Sequence, residues 1–470
     1  MDKMTKETKR PFGIRDKIGY LLGDFGNDFT FILSSSFLLK FYTDVMHVGA
    51  GVVGLVMMLA RFVDAFTDVT MGRIADHSRV RTSGKFKPWI LRMAAPVALS
   101  SFLIYQSSLA DAAMWLRVTW LVVTYILWGS IFYTSINSPY GSMASAISPE
   151  PGDRQSLSTF RSMGSVLAGV IVGAGIPLFA YDTRVVGGET VAELNGGRFT
   201  LIAGVFSVLA IIAYLACYAL VTERVVTERV GEVREKKSVF LLLGESLRNR
   251  ALISIIAASI VMLLSQFTLQ QMANYVFPDY YANTDAQSVS TLAMMVAMFL
   301  AAGGAKPLAA RFGKAEISVV SNLFAAAVSL LLFFIRPASV WAYVLLSLFS
   351  WLGLGVFTMV SWALITDVID DAEVRVGIRE DGSIYSLYSF ARKLGQAAAA
   401  GLTGLFLTLI GYEKIEGVPI AETVRNGIFN ISTLVPAIGF AILALILWFW
   451  YPLHKRRVEE NVRILREKRG

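Results

Sequence analysis

Long apolar stretches recur along the whole chain, separated by shorter polar and charged segments. Twelve of them are long enough for a helix that crosses the hydrocarbon, which takes about 20 apolar residues. They lie near 18–43, 49–75, 88–107, 117–147, 160–181, 199–222, 251–277, 286–309, 315–335, 340–366, 383–411 and 426–451. Unbroken apolar runs do not suit the alternating pattern of a barrel strand. The pattern therefore predicts an all-α membrane protein with twelve transmembrane helices.

A long charged segment divides these stretches into two sets of six. It is the run ERVVTERVGEVREKKSVFLLLGESLRNR at 223–250. We predict an N-terminal six-helix bundle at 1–222, a central cytoplasmic loop at 223–250, a C-terminal six-helix bundle at 251–452 and a basic cytoplasmic tail at 453–470. The loop after the second helix, GRIADHSRVRTSGKFKPW, has a shorter counterpart after the eighth, GAKPLAARFGKAE. This pair of loops indicates a weak internal repeat, which is common in transporters.

Charge supports this assignment and orients it. Only 17% of the residues are charged, against roughly 25% in an average soluble domain. If both termini are cytoplasmic, 31 of the 43 lysines and arginines fall in inside segments and five in outside loops. Cytoplasmic loops carry such an excess, so we predict both termini inside. The net charge of +8 then reflects topology and anionic lipid heads, and it does not indicate a nucleic-acid partner.

Charged residues also lie deep within the predicted spans. Helix 1 contains Asp24 and Asp28; helix 2 contains Arg61, Asp64 and Asp68; helix 5 begins with Arg161; and helix 11 contains Arg392 and Lys393. A charge at this depth is costly, so those that persist usually face a cavity or a partner. A ligand site is the favoured interpretation, and a static salt-bridge cluster that joins the helices is the alternative.

The acids of helix 2 suggest a cation site. Asp64 and Asp68 are four residues apart and share one face of the helix. Two carboxylates alone would repel each other, so one would stay protonated. A bound Na⁺, held by carboxylate oxygens, or a proton on one carboxylate removes this repulsion. The sequence does not choose between the two cations.

Helices 4 and 11 supply polar atoms at similar depth. Helix 4 reads YTSINSPYGS at 133–142, with Tyr133, Thr134 and Asn137, and this composition suits sugar hydroxyls or the oxygen shell of a cation. Ser and Thr also serve as contacts between packed helices. In helix 11, Tyr388 precedes Arg392 and Lys393, which point about 100° apart. We expect Lys393 to face the acids and Arg392 to turn towards ligand or neighbouring helices.

Other chemistry is not indicated. The chain has no G-x-x-x-x-G-K-[S/T] phosphate loop, so ATP is not expected to drive it. Three histidines and one cysteine, Cys217, do not suggest a zinc or nucleophile site. The run DVIDDAE at 367–373 resembles a divalent-metal motif, but its place at a cytoplasmic helix end predicts a solvated helix end instead. We expect no enzyme activity and no cofactor.

Six stretches, in the expected order, resemble the glycoside–pentoside–hexuronide:cation symporters of the major facilitator superfamily. They are GDFGNDF (23–29), FYTDV (41–45), ARFVDAFTDVTMG (60–72), GKFKPWIL (84–91), NSPYGSM (137–143) and GIREDGSIYSLYSFARKLGQA (377–397). The resemblance covers nearly the whole chain and implies the major facilitator fold. Its helix 11 stretch is most similar to glucuronide carriers.

The resemblance also implies roles for individual residues. Asp64 and Asp68 would hold the cation, as the metal ligands if it is Na⁺, with help from Thr134. Asp28, Tyr133, Arg161 and Lys393 would bind sugar. We add Asp24, Tyr388 and Arg392 to the sugar set, and Asn137 to both sets, because they lie at the same depth. Two positions depart from melibiose carriers, where an aspartate stands in place of Asn137 and a tryptophan in place of Gly141.

These departures remove a negative charge and a stacking surface from the sugar pocket, which favours an anionic sugar such as a glucuronide. Asp24 and Asp28 argue for a neutral glycoside. We therefore expect a monomeric, multi-pass transporter of the cell membrane that couples a glycoside or hexuronide to Na⁺ or H⁺ by alternating access. An uncoupled facilitator or exporter is the first alternative. A membrane enzyme that acts on lipid-linked sugars is a more distant one.

Overall fold

The computed structural model describes residues 10–78, 80–225, 249–376 and 381–469. These residues are almost entirely helical, with one two-stranded sheet. The helices are α1 (Ile14–Asp44), α2 (Ala50–Asp76), α3 (Lys87–Ile104), α4 (Met114–Ile126), α5 (Thr134–Ile147), α6 (Pro151–Phe179), α7 (Gly196–Leu220), α8 (Arg250–Tyr275), α9 (Thr284–Phe312), α10 (Lys314–Ile335), α11 (Val340–Val376), α12 (Asp381–Leu409), α13 (Glu422–Leu445) and α14 (Lys455–Arg469). The strands β1 (Tyr181–Val186) and β2 (Glu189–Leu194) lie between α6 and α7.

Most of these helices have the length and composition of membrane spans. In the described part of the chain, nine helical spans are long and apolar enough to cross a membrane. Three other long helices, α1, α3 and α12, fall outside this set, and each has charged residues within its body. The prediction of an all-α membrane protein is therefore confirmed, whereas the count of twelve spans stays a prediction.

Within the described residues, three spans contain a segment of wider π-helix. The segments Leu127–Tyr133, Val276–Tyr280 and Ile446–Trp450 directly follow α4, α8 and α13. The first joins α4 to α5, so that Met114–Ile147 forms one span. Such segments are rare and occur frequently at functional sites.

The described residues form two compact units. The first comprises residues 10–49, 59–182 and 193–225. In it, α1 packs against α6 and α7, and α3 packs against α7 and the α4–α5 span. Gly164 lets α6 approach the backbone of α1, because a Cβ at this position would overlap the carbonyl oxygen of Leu21. Cys217, the only cysteine of the chain, is buried in α7, next to Gly23 of α1.

The second unit comprises residues 50–58, 183–192, 249–376 and 381–469. In it, α8 packs against α12 and α13, α10 against α11 and α13, and α9 against α11. The contacts of α8 repeat those of α1, which packs against the last two long helices of the first unit. The internal repeat suggested by the two loops therefore extends to helix packing.

The strands β1 and β2 form a hairpin whose turn is made by Gly187 and Gly188. Their φ angles are 60° and 90°, which suits a two-residue hairpin turn and favours glycine. Residues 183–192 of the hairpin belong to the second unit. There Lys414 Nζ donates to the carbonyl oxygen of Ala192 (3.2 Å) and pairs with Asp279 Oδ1 (3.1 Å). The Lys414 and Asp279 side chains are almost completely buried, so this ion pair fixes the hairpin to the end of α8.

A carboxylate stabilises the start of α3. Most of the predicted central loop lies outside the described residues, but Glu223 is described. Its carboxylate accepts hydrogen bonds from the backbone N–H groups of Lys85 (2.7 Å), Phe86 (2.9 Å) and Lys87 (2.7 Å). The first N–H groups of a helix have no partner within the helix, and the helix dipole favours an anion there. Glu223 thus attaches the end of α7 to the loop before α3.

The acidic run at the end of α11 differs from the expectation of a solvated helix end. Asp367 pairs with Lys314 Nζ at 2.6 Å. Asp371 accepts a hydrogen bond from Asn461 Nδ2 at 3.1 Å and lies 3.7 Å from Arg457 Nε. Asp367 and Asp371 are buried, because the start of α10 and the tail helix α14 pack over them. For these two acids the prediction of solvation was wrong.

Candidate functional site

A pair of carboxylates on α2 faces a pair of hydroxyls on the α4–α5 span. The Ser130 hydroxyl donates to Asp64 Oδ1 at 2.5 Å, and the Thr134 hydroxyl donates to Asp68 Oδ1 at 3.0 Å. Asp64 and Asp68 are four residues apart on α2, and Ser130 and Thr134 are four residues apart on the α4–α5 span. The two acids and the two hydroxyls therefore match in register. We refer to Asp64, Asp68, Ser130 and Thr134 as the carboxylate–hydroxyl ladder.

The π segment places the hydroxyls of this ladder. Ser130 lies within Leu127–Tyr133, and Thr134 is the first residue of α5. The Thr134 hydroxyl also lies 3.1 Å from the carbonyl oxygen of Gly129, to which it can donate. At Gly129 a Cβ would lie 3.6 Å from Asp64 Oδ1, so a glycine leaves room beside the carboxylate. The wider helical turn therefore brings hydroxyl and carbonyl oxygens next to two acids.

Arg61 compensates part of the negative charge of the ladder. Its Nη1 lies 3.4 Å from Asp64 Oδ2, and its guanidinium lies over the ring of Phe31 at 5.1 Å. Both oxygens of Asp64 therefore have a described polar neighbour, Ser130 on one side and Arg61 on the other. Asp68 accepts a hydrogen bond from Thr134 and is also within electrostatic reach of Arg61. Arg61 therefore offsets part of the charge of both acids.

A second polar cluster joins α1 to α6. Arg161 Nε donates to Asp24 Oδ1 at 2.9 Å, and its guanidinium lies 5.3 Å from the centre of the Tyr140 ring. Tyr140 stacks on Tyr20 with the ring centres 4.6 Å apart. Asp24 is buried, whereas 39% of the Arg161 side chain is exposed. The ion pair therefore presents a cationic group to an accessible space.

Tyr133 and Asp28 lie close to this second cluster. Asp28 is within electrostatic reach of Asp24 and Arg161, and it lies near Ser165 of α6. Tyr133 is within electrostatic reach of Asp28, Asp24 and Arg161. The Asp24–Arg161 pair joins α1 to α6, as the static salt-bridge alternative requires, whereas Arg61 and Asp64 lie on the same helix. Tyr133 and Asp28 add polar atoms around the first pair.

Asn137 belongs to a hydrogen-bonded chain of three side chains. The Tyr214 hydroxyl of α7 donates to Asn27 Oδ1 at 2.9 Å, and Asn27 Nδ2 donates to Asn137 Oδ1 at 3.4 Å. Asn27 and Tyr214 are each 1% exposed, and Asn137 is half-buried. This arrangement places Asn137 beside α1 and, through Asn27, connects it to α7.

The predicted residues of helix 11 lie in the second unit. Arg392 is 5.4 Å from the ring centre of Trp362 and 5.8 Å from that of Tyr388. The Tyr388 hydroxyl accepts a hydrogen bond from Ser259 at 2.8 Å. Arg392 therefore lies against aromatic neighbours. Lys393 has an exposed side chain, and its link to the acids of the first unit stays a prediction.

Trp362 adds an aromatic surface that the sequence analysis missed. Its ring stacks on Tyr385 with the centres 5.0 Å apart, and the residues are 40% and 52% exposed. An exposed aromatic stack beside a guanidinium suits the apolar face of a sugar ring. Trp362 lies in the otherwise apolar run MVSWALIT, and the only available signal was an aromatic residue at the depth of Tyr388.

Within the first unit, the structure thus brings together the predicted residues of helices 1, 2, 4 and 5. Three further polar residues were also missed: Ser130, Asn27 and Tyr214. Asn27 stands inside the motif GDFGNDF, so its place next to Asp28 was the available signal. Ser130 lies in the apolar run LWGSIFY, where a single serine does not stand out.

Comparisons with known proteins support a sugar transporter. A family model described as MFS/sugar transport protein matches residues 19–455. The glucuronide carrier protein homolog of Escherichia coli strain K12 is 31% identical, covering 95% of this chain and 94% of that protein. The putative sulfoquinovose importer of Salmonella typhimurium strain LT2 is 30% identical, covering 94% and 91%.

The fold is that of known transporters. The bacterial homolog of the human lysosomal transporter Spinster, in an inward-facing and unoccupied conformation, has a TM-score of 0.65 and 11% identity, covering 95% of this chain and 97% of that chain. At this identity the likeness concerns the fold alone. Together, the comparisons make this chain a non-enzymatic, multi-pass sugar transporter of the cell membrane. The chain therefore belongs to the sugar:cation symporter family of the major facilitator superfamily, as its motifs predicted.

Proposed function

We propose that this transporter is a symporter that couples an anionic sugar, with glucuronides as the leading candidates, to a monovalent cation. The observation that carries this proposal is the arrangement along one face of the α4–α5 span. Ser130 and Thr134 contact the two acids of α2. Asn137 contacts Asn27, and a Cβ at Gly141 would lie 4.0 Å from Arg161 Nη1. One helix face therefore connects the carboxylate–hydroxyl ladder to the cluster around Arg161.

This arrangement provides a physical route for coupling. A cation that binds Asp68 competes for the oxygen that accepts the Thr134 hydrogen bond, so binding changes the position or orientation of that hydroxyl. Asn137 follows Thr134 by three residues and lies on the same face of α5. The effect of cation binding on Thr134 is thereby transmitted along α5 to Asn137, which is a proposed sugar ligand. Asp64 and Asp68, assisted by Thr134 and Asn137, are the proposed ligands of Na⁺ or of the transported proton.

The remaining polar residues are proposed sugar ligands. They are Asp24, Asp28, Tyr133, Asn137 and Arg161 in the first unit, and Tyr388, Arg392 and Lys393 in the second. An arginine pairs well with a carboxylate or sulfonate through two parallel hydrogen bonds. The similar proteins named above bear the names of two sugars with an acid group, a glucuronide and sulfoquinovose, and this supports an anionic substrate.

We further propose that α1, α3 and α12 also cross the membrane, which gives twelve spans with both termini cytoplasmic. The two six-helix bundles would then be 1–222 and 251–452, joined by the loop 223–250 and followed by the tail 453–470. One chain would be sufficient for transport, because every proposed ligand group comes from a single copy. Fusion of a reporter that is active only on one side of the membrane, at either terminus, tests this topology.

Uptake into proteoliposomes tests the function. We expect labelled phenyl-glucuronide to accumulate above its external concentration when either an inward Na⁺ gradient or an inward H⁺ gradient is imposed, and not without a gradient. Dissipation of that gradient by the matching ionophore should abolish accumulation. Equilibration without accumulation would instead favour an uncoupled facilitator. Absence of flux for uronides and neutral glycosides alike would contradict a sugar transporter of this class.

A further inference from the structure

The hydrogen-bonded chain of Tyr214, Asn27 and Asn137 has a direction. A tyrosine hydroxyl that donates to Asn27 must point at the carbonyl oxygen of its amide, because the nitrogen carries only donors. This leaves Asn27 Nδ2 to face Asn137, whose own carbonyl oxygen accepts. Among the described residues, Asn137 Nδ2 then has no hydrogen-bond partner. Asn137 thus presents a donor, rather than an acceptor, to the space beyond.

The position of Tyr214 is fixed by packing. Its ring fits against Gly26, where a Cβ would lie 3.0 Å from Tyr214 Cε1. The residue next to this glycine is Asn27, and Asn27 and Tyr214 are each 1% exposed. A larger residue at 26 would displace the ring and break the hydrogen bond to Asn27. The orientation of the amide is therefore set by groups that have no access to a ligand.

The donor faces the same region as the guanidinium of Arg161. Gly141 lies one turn beyond Asn137 on α5, and a Cβ there would lie 4.0 Å from Arg161 Nη1. The space between Asn137 and Arg161 is thus left open by a glycine. A donor amide and a guanidinium on two sides of one space both favour an acceptor or anionic group of the ligand.

We propose that Tyr214 is a positioning residue for substrate specificity, which acts through Asn27 to hold the Asn137 amide with its N–H₂ group towards the acid group of the sugar. If this hydrogen bond is lost, the two amides can turn over together. Asn137 then presents its carbonyl oxygen, which repels a carboxylate and accepts a sugar hydroxyl. This inference rests on the proposed function, since it concerns the sugar site of a transporter.

The test is the ratio of kcat/KM for phenyl-glucuronide to that for phenyl-glucoside in proteoliposomes. Tyr214→Phe keeps the ring and the net charge and removes only the donor. We expect it to lower the ratio on the order of five- to tenfold, as expected for one hydrogen bond of about 1–1.4 kcal/mol. Asn27→Leu, which also keeps the charge and frees the Asn137 amide, should lower the ratio similarly. Asn27→Asp should lower it further, since two acceptor oxygens force Asn137 to turn.

Tyr42→Phe is the matched control. Tyr42 is a fully buried tyrosine of α1 whose hydroxyl donates to the carbonyl oxygen of Ile104 at 2.9 Å, so its loss costs a buried hydrogen bond without affecting Asn137. We expect an unchanged ratio. A purely structural role of Tyr214 would reduce transport of both substrates equally and leave the ratio at the wild-type value.

The proposal is overturned if Tyr214→Phe or Asn27→Leu, when folded, retains the wild-type ratio, or if only the charged Asn27→Asp variant changes it. Its failure differs from failure of the proposed function. If only the role of Tyr214 is wrong, the wild-type protein transports sugar, and the Tyr214→Phe and Asn27→Leu variants discriminate between the two substrates as the wild type does. If the proposed function is wrong, the wild-type protein transports neither substrate.

Discussion

The Thr134 hydroxyl donates a hydrogen bond to Asp68 Oδ1 over 3.0 Å, across two helices that are also joined by the hydrogen bond from Ser130 to Asp64. The hydroxyl of Thr134 lies also at the end of the π segment, where it can donate to Gly129 instead. A side chain with two alternative acceptors can change partner when a cation occupies the carboxylate. The predictions for the carboxylate–hydroxyl ladder follow from this change of hydrogen-bond acceptor.

Asp68→Asn is expected to abolish accumulation of sugar driven by a cation gradient and to spare downhill flux. The amide cannot bind a cation by charge, whereas exchange of sugar alone does not require one. Accumulation and counterflow are measured on the same vesicles. Asp111→Asn, at an exposed aspartate between α3 and α4, serves as the control and should behave as wild type. Full accumulation by the Asp68 variant would rule out its role in coupling.

Ser130→Ala should weaken the apparent affinity for the cation about tenfold or more and leave the KM for sugar nearly unchanged. It removes the hydroxyl that donates to Asp64, and a hydrogen bond to a charged group contributes about 1.5–3 kcal/mol. Ser135→Ala is the matched control, because the Ser135 hydroxyl donates to the backbone oxygen of Ile131 in its own helix. Equal effects of the two substitutions on cation dependence would show that Ser130 has no special role.

Lys393→Ala is expected to eliminate sugar binding in a protein that still inserts and folds. Lys393 is a proposed sugar ligand, and its substitution removes a cationic donor with which the acid group of the sugar can pair. Ligand binding is measured by calorimetry or by competition in detergent. Lys306→Ala, which removes an exposed lysine of α9, should bind normally. Tight binding by a well-folded Lys393 variant would contradict the prediction.

Asn137→Asp should reduce transport of phenyl-glucuronide more than that of phenyl-glucoside. Asn27 Nδ2 can donate to a carboxylate at this position as it does to the amide, so the fold tolerates the change. The added negative charge lies towards Arg161 and competes with the substrate carboxylate. Competition of the two glycosides on the same vesicles gives the ratio. An unchanged ratio, or a clear preference of the wild-type protein for the glucoside, would refute an anionic substrate.

Lys414→Met is expected to destabilise the protein by about 3–5 kcal/mol, because it leaves the buried Asp279 carboxylate without its cation. Lys414→Met with Asp279→Asn should recover much of this loss. Arg184→Met removes a partner of an exposed ion pair at 3.7 Å, and it should cost less than about 1 kcal/mol. Unfolding in detergent is followed by temperature or denaturant. Equal losses for Lys414 and Arg184 would show that the buried pair is not important for stability.

The sequence predicted those parts of the site that depend on regular helix geometry. The spacing of Asp64 and Asp68 placed both on one face, and the polar run of helix 4 identified Thr134 and Asn137. Ser130 could not be found in this way, because it is a single serine in the apolar run LWGSIFY. Tyr214 was missed for another reason: its helix is apolar all round, so its partner Asn27 is known only once α7 is packed against α1.

Contacts between distant segments also explain the error at the end of α11. Asp367 and Asp371 were expected to be solvated because they stand at a helix end in a charged run. Lys314 and Asn461 lie far from them in sequence, and neither pairing has a local signal. The hairpin β1–β2 is a similar case, since its contacts with Lys414 bridge more than two hundred residues. Long-range pairing of this kind is determined by packing rather than by pattern.

Because Cys217 is buried, cysteines introduced into the natural chain can be labelled for spectroscopy without interference from the native thiol. It is the only cysteine, and its side chain lies inside α7 against α1, beyond the reach of a maleimide in the folded state. Cysteines introduced at exposed positions, one in each unit, can therefore carry spin labels or a donor–acceptor dye pair without removal of a native thiol. Distance distributions recorded with and without sugar and cation would then report directly on the conformational cycle of the transporter in lipid.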